Sequence, residues 1–126
     1  MRVLIQRVKK ASVEVDSLTV SSINSGLVIL LGIENEDNSI DIEWLTSKIS
    51  QLRIFNDKNK VMNNSLIDVK GDIIVISQFT LHASTKKGNR PSYIKASKSD
   101  FANKIYKDFL ISIENKINKK PFSGIF

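Results

Sequence analysis

One histidine and no cysteine occur in the 126 residues. That inventory removes most catalytic repertoires. A dedicated zinc site would have to be nearly all carboxylate, which is unusual. Disulfides and thiol catalysis are excluded, and a reducing cytoplasm is the natural setting for such a chain. No G-x-x-x-x-G-K-[ST] or G-x-G-x-x-G segment is present, so neither a phosphate loop nor a dinucleotide fingerprint is supported. A Ser-His-Asp triad would have to use His82. Ser77 precedes it by five positions, and on a regular strand an odd separation faces the two side chains opposite ways.

The polar groups that remain are concentrated in GDIIVISQFTLHASTKKGNRPSY, residues 71–93. Ile73, Ile74, Val75 and Ile76 form an uninterrupted apolar run. Ser77, Gln78 and Thr80 then follow around Phe79, and Lys86, Lys87 and Arg90 come after them. Strand alternation would place Gln78 and Thr80 on the side of Ile74 and Ile76, with Ser77 and Phe79 on the other. A buried hydroxyl or amide without a partner costs about 1–3 kcal/mol, so three of them after a core strand must find partners. Neighbouring backbone can supply these. So can a ligand, since α/β sheets bind ligands at their strand ends. His82 reads as a loop residue near the strand end, within reach of such a ligand. Lys86, Lys87 and Arg90, with Gly88 allowing close backbone approach, form a plausible phosphate grip. The plainer reading of the same loop is a solvated, charged surface.

The elements that must position these residues are legible in outline. Residues 2–8 (RVLIQRV), 11–16 (ASVEVD) and 18–23 (LTVSSI) read as strands. The second alternates Val13 and Val15 against Ser12, Glu14 and Asp16. Asn24-Ser25-Gly26 marks a turn. Leu27 to Ile33 is apolar throughout, as in a strand covered on both faces. Ser39 is placed as the N-cap of a helix carrying Asp41 and Glu43 in its first turn. Ile42, Leu45, Ile49 and Leu52 form its apolar face, with Trp44 partly exposed. Arg53-Ile54-Phe55 suggests a short strand ended by a turn at 56–59, and 61–70 is ambiguous. After a loop at 83–98, a helix is predicted from about Ser99 to Asn118. Phe101, Ile105, Phe109, Ile113 and Ile117 recur every fourth residue along it, with Ala102, Tyr106 and Leu110 alongside in a broad apolar, core-packing stripe. Pro121 ends that helix, and Phe122, Ile125 and Phe126 are too apolar for a free tail. One α/β domain over residues 1–126, with a mixed sheet and two main helices, fits this order.

The 19 basic and 13 acidic residues give a net charge of +6. An excess of this kind favours an anionic partner, nucleic acid above all. The Lys-, Asn- and Ile-rich composition that AT-rich coding produces explains the same excess without a partner. No apolar run is long enough to span a bilayer. Charge follows the short apolar run at the N-terminus too soon for a secretory signal.

Ser77-Gln78-Phe79-Thr80-Leu81, followed by Lys87-Gly88-Asn89-Arg90-Pro91-Ser92-Tyr93, resembles the D-aminoacyl-tRNA deacylase family. Met1 to Val8, Gly26-Leu27 to Leu31-Gly32-Ile33, and Leu52-Arg53-Ile54-Phe55 extend the likeness over nearly the whole chain. The resemblance implies a barrel-like α/β fold and a cytoplasmic homodimer with its pocket near the dimer interface. It also implies hydrolysis of the ester that joins a D-amino acid, or glycine, to the 3′ adenosine of tRNA. No cofactor or metal is implied. The terminal ribose 2′-hydroxyl would help activate water. The main-chain N–H groups of Phe79 and Thr80 would polarise the ester carbonyl, as an oxyanion hole does. Gln78 would fix the pocket by hydrogen bonding. Thr80 as a nucleophile is the alternative, but it has no evident partner base. Arg7 is carried over as a support of the pocket wall. Ser77, His82, Lys87, Gly88, Arg90, Pro91 and Phe126 are carried over as substrate contacts.

Family members continue past the Gly124-Ile125-Phe126 position into a strand-rich tail with an Asn-Asp-Gly-Pro-Val-Thr motif. Its Gly-Pro pair enters the partner's pocket and excludes L-amino acids. No Gly-Pro dipeptide occurs in these 126 residues. The expectation is a truncated form, less stable than its relatives because sheet surface and an edge strand are uncovered. Weakened activity or weakened D/L discrimination is expected with it. The alternative from another class is a nucleic-acid-binding module that keeps the pocket without the chemistry. A small structural protein would leave the polar strand end unexplained.

Overall fold

Leu27, Ile29 and Leu31 alternate along strand β4 (Gly26–Gly32), and each is fully buried. The period of two gathers them on one face, where Ile73 and Val75 of strand β7 (Asp72–Ser77) join them. These two strands form the centre of a four-stranded mixed sheet. Its order is β1 (Arg2–Val8), β4, β7, β8 (Phe122–Ser123). β1 runs antiparallel to β4, whereas β7 is parallel to both β4 and β8. The computed structural model describes all of residues 1–126.

Helix α1 (Ser39–Gln51) and helix α3 (Ser99–Ile117) cover that apolar face. α3 contributes Ile105, Tyr106, Phe109 and Ile113, all buried, and α1 contributes Ile42 and Ile49. The fourfold spacing that predicts α3 thus becomes its packing stripe. The two helices are cross-linked by Thr46 Oγ1 and Ser112 Oγ at 2.8 Å, and by Lys116 Nζ donating to Glu43 Oε1 at 2.5 Å. The cap of α1 is Asn38, one residue before the predicted Ser39. Its side chain accepts from the Ile40 N–H, and Asp41 accepts from the Asn38 N–H, a reciprocal box.

The opposite face is covered by a ribbon of β2 (Ala11–Val15) and β3 (Leu18–Ile23). Asp16 and Ser17 join them in a two-residue turn with φ of 50° and 63°, so the second strand ends one residue earlier than predicted. Positive φ at both central residues matches the right-handed twist of the flanking strands. β3 lies against β7 and β8, and Ser21 Oγ donates to the Ser123 carbonyl at 2.5 Å. The ribbon folding over the sheet is the barrel-like arrangement the resemblance implies.

The ambiguous stretch before β7 contains two short elements. β6 (Met62–Asn64) pairs with β5 (Phe55–Asn56), and a single helical turn, α2 (Leu66–Val69), follows. The C-terminal segment lies along the domain, but the side chains of Phe122, Ile125 and Phe126 remain exposed, contrary to the docking expected of them. Pro121 is buried, β8 adds to the sheet edge, and the Phe126 ring lies 5.5 Å from the Tyr106 ring. No helix is long and apolar enough to cross a membrane.

Candidate active site

β7 stops at Ser77, and the Gln78 N–H makes the last ladder-like bond, donating to the Leu31 carbonyl at 2.8 Å. The chain then tightens into a 3-10 turn, Phe79–His82, with Gln78 at φ −142°, ψ 85° ahead of it. The strand alternation predicted through Thr80 is therefore cut short. Its pairing of side chains survives by another route. Ser77 and Phe79 face one pocket, while Gln78 Nε2 donates to Thr80 Oγ1 at 2.5 Å.

A 3-10 turn leaves its first N–H groups without intrahelical partners. Here neither the Phe79 nor the Thr80 N–H donates to any backbone or side-chain acceptor. Two consecutive main-chain donors are thus available at the exit of the central parallel strand. Thr80 Oγ1 has no carboxylate or imidazole bonded to it. Its one partner, Gln78, donates to it and cannot take its proton.

Beside this turn lies a pocket of about 310 Å³. Ile76, Ser77 and Phe79 form one wall. Gly124, Ile125 and Phe126 of the C-terminal segment form another, and Ser97, Ser99, Ala102 and Tyr106 close it from the side of α3. Phe126 thus lines this pocket. The four residues from the α3 side were not singled out from sequence. Tyr106 belonged to the apolar stripe and read as core, although a hydroxyl in such a stripe needs a partner. It donates to the Val75 carbonyl at 2.7 Å, and burial pushes its phenol above its ordinary pKa.

The cationic loop does not line the pocket, but it is tied to the pocket rim. Ser84 and Ser92 exchange backbone bonds at 2.9 Å, closing the segment that carries Lys86, Lys87 and Arg90, all exposed. Gly88 holds φ +114° with open space around it, a conformation unfavourable for any side chain. Pro91 follows on the exposed return of the loop. Tyr93 then packs edge to face on Phe79 with ring centroids 5.2 Å apart. This aromatic contact brings the base of the loop to the mouth of the pocket.

Two expectations are corrected. Arg7 does not support this pocket within one chain. It pairs in register with Leu27, opposite Ile73, at the start of β7. At about 3.3 Å per residue it is roughly 13 Å along the sheet from Ser77. Its guanidinium instead donates to the Ile54 carbonyl at 2.5 Å and to Asn56 Oδ1 at 3.2 Å. His82 is not a loop residue open to a ligand. It is 2% exposed, with Nδ1 lying 2.9 Å from Glu34 Oε1. The turn rotates it inward, where the absence of a side chain at Gly32 makes room for its ring. Neither ring nitrogen makes an aligned hydrogen bond: Nδ1 meets the Glu34 carboxylate by proximity alone, and Nε2 is unpartnered, a burial that costs about 1–3 kcal/mol.

The fold and site together describe an α/β protein that offers main-chain donors, not an activated side-chain nucleophile, at a strand-end pocket. The model of the family "D-Tyr-tRNA(Tyr) deacylase" matches residues 4–126, and the chain belongs to that family. It is 60% identical over 126 residues to the D-aminoacyl-tRNA deacylase of Flavobacterium johnsoniae, covering all of this chain and 84% of that protein. A solved structure titled "c-Myc DNA Unwinding Element Binding Protein" superposes with a TM-score of 0.94 at 34% identity, over 100% of this chain and 85% of that one. A probable eukaryotic D-amino acid tRNA deacylase shares the fold with a TM-score of 0.76 at 16% identity, over 92% of this chain and 68% of that one.

Proposed function

We propose that the chain hydrolyses the ester linkage of D-aminoacyl-tRNA and so removes D-amino acids, and glycine wrongly joined to tRNA, before they reach translation. The observation that carries this reading is the pair of unpartnered amides, Phe79 N–H and Thr80 N–H, at the edge of the pocket. Water adds to the ester carbonyl carbon, and the two amides hold the oxygen that becomes negative. The bond from that carbon to the ribose oxygen then breaks, releasing the amino acid and the free tRNA 3′ end. The ribose 2′-hydroxyl assists the attacking water, which accords with the lack of a protein base at Thr80.

Gln78 orients Thr80 and with it the turn. Ser77 and Phe126 contact the aminoacyl end, while Lys87 and Arg90 meet tRNA phosphates, with Gly88 and Pro91 shaping the loop that presents them. The working form is a cytoplasmic homodimer, in which Arg7 acts away from its own chain's pocket. Incubating the purified chain with D-Tyr-tRNA and L-Tyr-tRNA tests this. Release of D-Tyr in preference to L-Tyr supports it, and stable D-Tyr-tRNA contradicts it.

A second reading, a nucleic-acid-binding module without catalysis, is favoured by the net charge of +6 and the exposed cationic loop. It predicts tRNA binding that weakens steeply with salt, and no ester hydrolysis.

A further inference from the structure

His82 is the one histidine of the chain, is buried, and takes no part in the chemistry proposed above. It ends the turn whose first two residues, Phe79 and Thr80, present their free amides. Its Nδ1 lies 2.9 Å from Glu34 Oε1, a close polar contact without hydrogen-bond alignment. Glu34 lies two residues beyond the end of β4 and is itself held in place. Its N–H donates to Asp37 Oδ2 at 2.6 Å, and it bridges to Ala96 at the base of the cationic loop. Bonds to two backbone carbonyls also hold the turn, beside the Gln78–Thr80 bond and the Phe79–Tyr93 contact. Gln78 N–H donates to Leu31, and Arg2 donates to the Leu81 carbonyl at 3.0 Å.

We infer that the His82–Glu34 pair is a positioning device for the proposed reaction, locking the Phe79–His82 turn against the end of β4 so that its two amides keep their aim. The inference rests on the deacylase reading for its kinetic consequence, but not for its structural one. Gly32 belongs to the same device. A Cβ there would lie 3.0 Å from His82 Cδ2, His82 Nε2 and Leu81 Cβ, so any side chain pushes the imidazole and the turn outward together. The pair works at a distance from the reacting atoms. Its loss disturbs amides that act in the transition state, while leaving the surfaces that hold tRNA in place.

Three variants test this: Glu34→Ala, Glu34→Gln and Gly32→Ala. Glu34 is partly exposed, so its replacement leaves the core intact. Glu34→Ala and Gly32→Ala are expected to lower kcat for D-Tyr-tRNA by about tenfold or more, with KM changed by less than roughly twofold. Glu34→Gln, which keeps the side chain's length and an oxygen against the imidazole, should recover most of the rate. The second readout is the amide NMR resonances of Phe79 and Thr80, which should move in Glu34→Ala and stay near their original positions in Glu34→Gln. Unmoved resonances in Glu34→Ala, or an unchanged kcat in an active protein, overturn the inference. If the parent chain shows no hydrolysis, the deacylase reading fails, and the resonances alone then decide whether the pair orients the turn.

Discussion

Gln78 donates its side-chain amide to Thr80 Oγ1 at 2.5 Å, across the two residues that begin the turn after β7. The bond holds the hydroxyl from the acceptor side and offers it no base. A threonine held in this way is oriented and not activated, because a hydroxyl attacks only when a neighbour takes its proton. The neighbouring main-chain amides are free. Chemistry at this site therefore falls to the backbone.

Replacing Thr80 with valine keeps the shape and the N–H while deleting the hydroxyl. D-Tyr-tRNA hydrolysis is expected to fall by less than about tenfold, whereas loss of a true nucleophile costs on the order of 10⁶ in kcat. Single-turnover kinetics on the variant distinguish the two, and a near-complete loss would restore Thr80 as the nucleophile.

The loop cations are expected to act in binding and not in bond cleavage. Removing one cation that pairs with a phosphate should flatten the dependence of log K on log salt by about 0.7–0.9. Substituting Lys87 and Arg90 with alanine should weaken tRNA binding at low salt and reduce that slope, with kcat at saturating tRNA unchanged. Filter binding at several salt concentrations measures it. An unaltered slope would return these residues to an uninvolved surface.

Tyr106 links the pocket to the core through its bond to the Val75 carbonyl. Tyr106→Phe leaves that carbonyl short of a partner, a loss of about 1 kcal/mol near neutral pH. Burial raises the phenol's pKa in the folded state, so the neutral form is favoured there. The tyrosine's contribution is thus complete below its unfolded pKa of about 10 and declines as pH rises through the folded value. Denaturant unfolding should show the gap between parent and variant closing above about pH 10. A constant gap contradicts the assignment.

How much of this was legible in the sequence depends on element length. β4 shows a long unbroken apolar run and α3 several periods of its stripe, and both appear within a residue of their predicted bounds. β6 and α2 have three and four residues, too few to establish any period, which is why the stretch before β7 could not be assigned. The cap of α1 shifts by one position because Asn38 and Ser39 are both good caps, and only geometry selects the one whose oxygen reaches the Ile40 N–H. The polar strand end was located correctly, but its shape was not. Strand alternation was extended through Thr80, where the chain in fact coils.

His82 and Arg7 show the limit more sharply. Whether a histidine next to a loop faces inward depends on the space provided by a residue far back in the chain, Gly32. Arg7 sits beside Gln6 in a recognisable pair, yet which end of the sheet it occupies follows from the register with β4. Tyr106 was seen, but as part of a stripe, since nothing in its spacing signals that its helix borders a cavity.

The most direct test of the backbone as the catalytic group removes a single N–H. Incorporating the α-hydroxy analogue of threonine at position 80 turns that amide into an ester while keeping the side chain. The account predicts a drop in kcat of about 10²–10³ with KM little changed. Turnover within about twofold of the parent chain would contradict it.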